Sequence, residues 1–227
     1  MDGFGGIPVI DLGQASIQGA RRLAKRTFDT LAVTIGLILL SPLLLIVAII
    51  IKLDSPGPVF YWQSRVGENG RLFTMLKFRS MKSGNDANEH KQHIARLIKE
   101  NLSVDTLGKK SLKLENDPRI TRVGKLIRKT SIDELPQLFN VLRGEMSLVG
   151  PRPPIPYEVE LYQNWHKRRL EAIPGITGIW QIKGRNRVSF DEMVRMDIEY
   201  IETQSFWLDM KILFQTPIAV IAGIGAG

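Results

Sequence analysis

Asp133 and Glu134 stand next to each other in the stretch Arg128-Lys129-Thr130-Ser131-Ile132-Asp133-Glu134-Leu135-Pro136-Gln137-Leu138. A carboxylate can serve as nucleophile, as general base or as ligand to a hard cation. A basic pair just ahead of it can hold an anionic substrate. The same residues have a plainer reading. Ser131 and Glu134 have the S-x-x-E spacing of a capping box, which predicts a helix starting at Ser131. Acidic residues favour a first helical turn whether or not they do chemistry. Taken alone, the stretch leaves both readings open.

Its neighbours add cations of the right kind. Ser147-Leu148-Val149-Gly150-Pro151-Arg152-Pro153-Pro154 predicts a rigid loop with one arginine. Prolines around Arg152 lower the entropy lost on fixing it, which suits two-pronged phosphate recognition. Val59-Phe60-Tyr61-Trp62 and Leu72 to Phe78 read as two strands joined at Gly67-Glu68-Asn69-Gly70, where Asn and Gly accept positive φ. That hairpin would bring Lys77, Arg79 and Arg65 near one another, as a phosphate site or as an ordinary basic edge. Arg119, Arg122, Lys125, Arg128 and Lys129 line one side of a helix whose other side carries Val123, Leu126 and Ile127. A basic amphipathic helix of this kind can lie on anionic lipid.

The elements that must position these groups begin with a membrane segment. Leu31 to Ile51 carries no charge. Its roughly 21 residues would span about 30 Å as a helix. Ser41-Pro42 sits at its midpoint, and proline removes a backbone donor and kinks or breaks a helix. Basic residues flank both ends: Arg21, Arg22, Lys25 and Arg26 before it, Lys52 and Arg65 to Lys82 after it. The positive-inside tendency puts both ends on one side. A helix–break–helix that enters and leaves through one leaflet fits both facts, with the Ser41 hydroxyl available to freed backbone groups. A proline-kinked spanning helix is the competing expectation.

Residues 1–20 read as a flexible tail, 21–53 as the re-entrant membrane hairpin and 54–227 as a single catalytic or binding domain with an insertion at 83–116, a mobile excursion or a surface helical hairpin whose middle, His90 to Leu102, is helix-like. Within that domain, helices are expected from Ser131 to Gly144, from Glu158 to Leu170, from Phe190 to Thr203 behind the Ser189/Glu192 capping box, and from Phe206 to about Ala222. Pro174 to Ile182 reads as a loop into a short strand. The fold class expected is α+β, mostly helical, with amphipathic interfacial helices and a small β-hairpin or sheet around a cytosolic active site.

The formal net charge of +8 calls for an anionic partner. No cysteine is present, which excludes disulfides and thiolate metal sites. His90, His93 and His166 are too few and scattered for a His-rich metal site. Nucleic acid is not the expected partner, because the aromatics do not interleave with the cations as a stacking platform requires.

Three long strings carry a resemblance. DSPGPVFYWQSRVGENGRLFTMLKFRSM, DPRITRVGKLIRKTSIDELPQLFNVLRGEMSLVGPRP and PGITGIWQIKGRN, behind KRTFD and the Ser-Pro pair, resemble the bacterial sugar transferase family, over roughly residues 21 to 222. These are monotopic phosphoglycosyl transferases of the inner (cytoplasmic) membrane, with the catalytic domain facing the cytoplasm. The C-terminal strings look most like the hexose-1-phosphate branch, whose larger members also carry an N-terminal membrane bundle not seen in this sequence. The resemblance implies transfer of a sugar-1-phosphate from a UDP-sugar to undecaprenyl phosphate, with release of UMP. It leans towards UDP-galactose or UDP-glucose and leaves an N-acetylated sugar open. By resemblance Asp133 is the nucleophile of a covalent aspartyl-phosphosugar, and Glu134 positions the metal or assists the acceptor. Mg²⁺ is the implied cofactor, held by Asp133 and Glu134. Arg128 and Arg152, with Lys77 and Arg79 behind them, are implied phosphate ligands. Ser41 and Pro42 match the family's membrane break. Inner-leaflet anionic lipid is the expected surface partner, and the surplus apolar C-terminal helix makes a homodimer plausible.

Overall fold

The computed structural model describes residues 12–81, 88–101, 119–183 and 188–221. The first element, α1, is one helix from Leu12 to Asp54. Residues 12–20 therefore belong to a helix rather than to a tail, and residues 1–11 lie outside the described residues. The helix runs through Ser41-Pro42 instead of breaking there. Pro42 has no N–H for the carbonyl four residues back, and the Ser41 hydroxyl donates to that Ile38 carbonyl at 2.8 Å. One local hydrogen bond thus replaces the one proline removes.

The segment Gly19–Asp54 is long and apolar enough to cross a membrane. Its outer face is bare: Leu31, Ile35, Ile38, Leu39, Leu45 and Ile46 are exposed, Leu39 at 73%. Its inner face is not. Val33, Leu37 and Leu40 pack with Met75, Leu138, Val141 and Met146. Beyond the proline, Leu44, Val47, Ala48 and Ile51 pack with Phe78, Val123, Ile127 and Ile132. Both halves of α1 rest on the same globular body.

The hairpin expected from sequence is present. β1 (Phe60–Val66) and β2 (Leu72–Phe78) pair antiparallel, with Tyr61 opposite Lys77 and Arg65 opposite Phe73. Asn69 and Gly70 take the left-handed conformations of the turn, at φ 55° and 78°. One face of the hairpin carries Arg65, Met75 and Lys77 towards the domain.

α2 (Asn88–Lys99) lies inside the stretch expected to be mobile. Ile94, Leu97 and Ile98 recur at helical spacing and are buried against Tyr162, Phe190 and Val194. The insertion thus contributes a helix to the core; residues 82–87 and 102–118 lie outside the described residues. α3 (Arg122–Lys129) starts at Thr121, whose hydroxyl accepts from the Gly124 N–H at 2.9 Å. A Cβ at Gly124 would stand 2.0 Å from the Ser80 carbonyl oxygen, so only glycine lets α3 seat against the end of β2.

After α3 come a 3₁₀ turn (Ile132–Glu134), α4 (Gln137–Arg143) and the short strand β3 (Ser147–Val149). α4 stops at Gly144 in the left-handed conformation, φ 82°, as its sequence predicts. The helix expected over 158–170 is instead α5 (Pro156–Val159) followed by a 3₁₀ segment (Asn164–Leu170). Gln163 and His166 cap that second segment reciprocally, which starts it afresh. β4 (Gly175–Thr177) pairs parallel with β3, and α6 (Ile179–Lys183) takes the residues expected to continue the strand. α7 (Phe190–Thr203) begins at Ser189 with both capping-box hydrogen bonds formed. α8 (Phe206–Ile221) completes the described fold, with Trp207 80% and Phe214 77% exposed.

Candidate active site

The turn bearing Asp133 is not the helix cap that its spacing suggests. Ser131 sits at φ 57°, in the left-handed region, and makes no side-chain cap bond. Pro136 is the reason. A helix starting at Ser131 would need a Pro136 N–H for the Ile132 carbonyl, and proline has none. The Leu135 N–H takes that carbonyl at 3.1 Å, which closes a 3₁₀ turn, and α4 begins only at Gln137. A non-glycine residue in this conformation costs on the order of 1 kcal/mol, a strain stored beside the two carboxylates.

Asp133 is only 4% exposed. Ile132, next to it, packs into the cluster that holds α1 against α3 and β2. The turn is therefore pinned against α1 on one side and the hairpin on the other. Lys77, from β2, reaches Glu134 Oε1 at 2.9 Å. Arg128 is buried in the last turn of α3, with its carbonyl accepting from the Ser131 N–H at 3.3 Å. Lys77, Arg128, Asp133 and Glu134 thus come together from three elements.

Arg152 enters on a loop whose carbonyls are all spoken for. Pro151 O accepts from Gly175 N at 2.8 Å, and Pro154 O accepts from Val66 N at 2.9 Å. Pro153 O accepts from Arg65 at 2.9 Å, and Arg152 O from Arg169 at 3.5 Å. Two glycines make the docking feasible, because a Cβ at Gly175 would stand 2.0 Å from Gly150 N. The prolines limit the loop's own freedom and its neighbours fix its place. Arg152 is thereby displayed from a fixed backbone.

Arg65 links the two halves of the site. It is 4% exposed and also donates to Gln63 at 2.7 Å. Burial first, then the neighbouring Arg152, lower its pKa to about 10, while Glu158 and Glu134 pull the other way. It remains a cation at neutral pH, held by the Pro153 carbonyl and Gln63 within electrostatic range of Arg152 and Glu134. From sequence, Arg65 groups with Lys77 and Arg79 as a phosphate site or an ordinary basic edge. Its alternation with Gln63 and Tyr61 on the face of β1 shared with Lys77 was the available signal.

Arg79 has a different place from the one its position suggested. Its guanidinium donates to Pro56 O at 2.7 Å and to Ser55 O at 2.6 Å, clamping the turn that ends α1. Those donors are engaged by backbone, so Arg79 acts as a staple for the end of α1. Ser41 and Pro42 lie within α1, away from the carboxylates in sequence and in role.

Among the described residues no group of three or more His, Cys, Asp or Glu side chains is placed to hold a metal. Two adjacent carboxylates still suit Mg²⁺, which is commonly bound by one or two carboxylates with substrate phosphates and water completing its shell. The donor set fits a cation brought together with a diphosphate better than a closed protein cage.

The arrangement can bind a phosphate-bearing substrate against a buried carboxylate beside an apolar helix. Residues 20–223 match the bacterial sugar transferase family. Over 98% of the chain it is 45% identical to the galactosyl transferase CpsE of Streptococcus agalactiae serotype III (strain NEM316), covering 48% of that protein. It is 43% identical to the exopolysaccharide production protein ExoY of Rhizobium meliloti (strain 1021), covering 90% of this chain and 88% of that one. The UDP-glucose:undecaprenyl-phosphate glucose-1-phosphate transferase of Escherichia coli (strain K12) is 39% identical over 95% of this chain and 44% of its own. The chain thus spans about half the length of CpsE and of the Escherichia coli protein.

Proposed function

The chain belongs to the bacterial sugar transferase family, and on that footing we propose that it transfers a sugar-1-phosphate from a UDP-sugar to undecaprenyl phosphate. The products are undecaprenyl-diphospho-sugar and UMP, the first membrane step of a polysaccharide or glycoconjugate. The observation that carries this reading is the placement of Asp133. It is a buried carboxylate on a strained turn, beside a Glu134 that pairs with Lys77 and an Ile132 that packs against the apolar helix. UDP-galactose or UDP-glucose is the proposed donor, in line with the names of CpsE and the Escherichia coli relative.

The chemistry follows from the groups. A carboxylate oxygen of Asp133 attacks the β-phosphorus of the donor. The bond from that phosphorus to the oxygen bridging to the α-phosphate breaks, and UMP leaves with it. The sugar phosphate stays on Asp133 as an acyl phosphate. An oxygen of the polyprenyl phosphate then attacks the same phosphorus, and the bond to Asp133 breaks, restoring the carboxylate. Phosphoryl transfer is mostly positioning and charge neutralisation. Arg152, fixed by its loop, and Arg128 hold donor phosphates. Lys77 orients Glu134 beside Asp133. Mg²⁺, held by Asp133 and Glu134 with the diphosphate, would supply further neutralisation. Burial of Asp133 restricts water, which favours transfer to the lipid phosphate over hydrolysis.

The contacts of α1 support a seat along the inner leaflet, with the catalytic turn on the cytosolic side and α1 unbroken at Pro42. Both halves of α1, before and after Pro42, pack on one globular body. A spanning helix would carry one half away from it. The exposed Trp207 and Phe214 of α8, and Leu126 among the cations of α3, suit the lipid interface.

The test is to incubate detergent-purified protein with Mg²⁺, undecaprenyl phosphate and a panel of UDP-sugars, and to measure UMP. Release with UDP-galactose or UDP-glucose is expected. No UMP from any UDP-sugar would overturn the reading. For the topology, single cysteines replacing Gly19 and Arg71, both exposed, should react from the same side of sealed inverted vesicles. Reaction from opposite sides would restore a spanning helix.

A further inference from the structure

The N-terminal helix is tied to the catalytic domain by buried charge as well as by apolar packing, and the ties converge on one strand. Lys25 Nζ reaches Asp209 Oδ2 in α8 at 2.6 Å, with side chains 18% and 7% exposed. The other oxygen of Asp209 lies 2.7 Å from the Tyr200 hydroxyl of α7. That hydroxyl also lies 3.0 Å from Val149 O, the last carbonyl of β3, and accepts from Gln204 Nε2 at 3.1 Å. One turn on from Lys25, Asp29 accepts the Ser147 hydroxyl at 2.7 Å and a backbone N–H from Leu148. Asp29, Ser147 and Tyr200 are each at most 3% exposed.

All three residues of β3 are therefore held by this network: Ser147 by its hydroxyl, Leu148 by its N–H, Val149 by its carbonyl. The chain leaves β3 directly into Gly150-Pro151-Arg152. Burial first, and Asp209 among the other causes, push the Tyr200 pKa well up, so the hydroxyl keeps its proton for the two acceptors beside it. These groups belong to the start of α1, to β3, α7 and α8, not to the turn that carries the reacting carboxylate. A buried polar network of this kind fixes one geometry where apolar contacts permit several.

We propose that Lys25, Asp29, Asp209 and Tyr200 are positioning residues: they carry the seating of the N-terminal helix through β3 to the loop that presents Arg152. The loop's docking depends on where β3 ends, since Pro151 O must meet Gly175 N and Pro154 O must meet Val66 N. A shift of β3 would move Arg152 relative to Asp133. The effect on turnover rests on the function proposed above, while the effect on the loop does not.

The experiment uses the full chain in detergent. Tyr200→Phe removes one hydroxyl and keeps the ring; Asp209→Asn keeps the shape and removes the charge, and serves if the first variant is unstable. Amide hydrogen exchange is measured by fragment-resolved mass spectrometry. Exchange at Gly175 and Val66, the two amides that report loop docking, should rise about five-fold, the worth of one hydrogen bond, while α2 stays unchanged. Exchange equal to wild type, or faster throughout the chain, would overturn the proposal. Kinetics give the second reading. Tyr200→Phe should lower kcat/KM about five-fold, yet add nothing to Arg152→Ala, because both act through one guanidinium. Losses that multiply would contradict the relay. If wild type releases no UMP, the proposed reaction fails and the exchange result alone decides this inference.

Discussion

The turn at Asp133 and the pair Arg169–Asp197 both bury carboxylates beside cations, and they are built in opposite ways. Arg169 donates to Asp197 at 2.5 Å and to the Tyr162 hydroxyl at 3.0 Å, and the rings of Tyr162, His166 and Phe190 gather around them. Both members of the pair are at most 3% exposed, and regular elements, the 3₁₀ segment and α7, carry them. Around Asp133 the carboxylates ride on a three-residue turn with a left-handed residue at its head. Lys77 pairs with Glu134 there, Arg128 meets the head of the turn through its carbonyl, and Arg65 lies within electrostatic range of both Glu134 and Arg152. The first arrangement matches each charge inside the fold. The second gathers cations from far apart in sequence around carboxylates on strained backbone, which is how a protein prepares for an anion that is not its own.

That contrast predicts opposite responses to the loss of a carboxylate. Asp133→Asn should lower turnover by at least about 10³-fold, because an amide is a poor nucleophile, while leaving the melting temperature unchanged. Asp197→Ala should act first on the fold. It strands Arg169 in the interior and should cost about 3–5 kcal/mol of stability, read from denaturant or thermal unfolding. If Asp197→Ala is as stable as wild type, the closed pair is not a structural element.

A subtler change addresses the loop. Arg152→Lys keeps the charge but loses the planar fork, and should raise KM for the UDP-sugar about ten-fold with little change in stability. An unchanged KM would remove Arg152 from the substrate site.

The smallest effect is on the structural side. His166 accepts the Gln163 N–H on Nδ1 at 3.1 Å and faces Asp191 with Nε2 at 3.2 Å. Burial lowers its pKa from 6.5, against the pull of Asp191. A folded-state value below the unfolded one means that the stabilisation is complete above about pH 6.5 and is lost as pH falls through the folded value. The melting temperature should therefore drop on acidification, and His166→Gln should flatten part of that drop.

Much of the frame could be read from residue patterns, because local chemistry dictated it. Asn69-Gly70 allowed only a tight turn, Gly144 ended α4, and Ser189 with Glu192 opened α7. Ser41 did what its position beside Pro42 suggested, yet the hydrogen bond it makes keeps α1 continuous, so the expected break did not follow. Ser131 misled for a related reason. Its spacing to Glu134 was right for a cap, and the proline five residues on made the helix impossible. Arg79 and Arg65 could not be sorted by sequence. One faces the end of α1 and the other faces the Arg152 loop, and only packing decides between them. Helix α2 was legible in the middle of the charged insertion, whereas the burial of its stripe of Ile94, Leu97 and Ile98 in the core was not.

The central claim is that Asp133 becomes covalently phosphorylated by the donor. The direct measurement is to mix the purified chain with Mg²⁺ and a UDP-sugar labelled at the β-phosphate, without lipid acceptor, then quench and map the label by peptide mass spectrometry. The account predicts one sugar-phosphate adduct, on the peptide containing Asp133, absent from Asp133→Asn and discharged by undecaprenyl phosphate. Label on another residue, or acceptor-dependent UMP release with Asp133 never labelled, would contradict it.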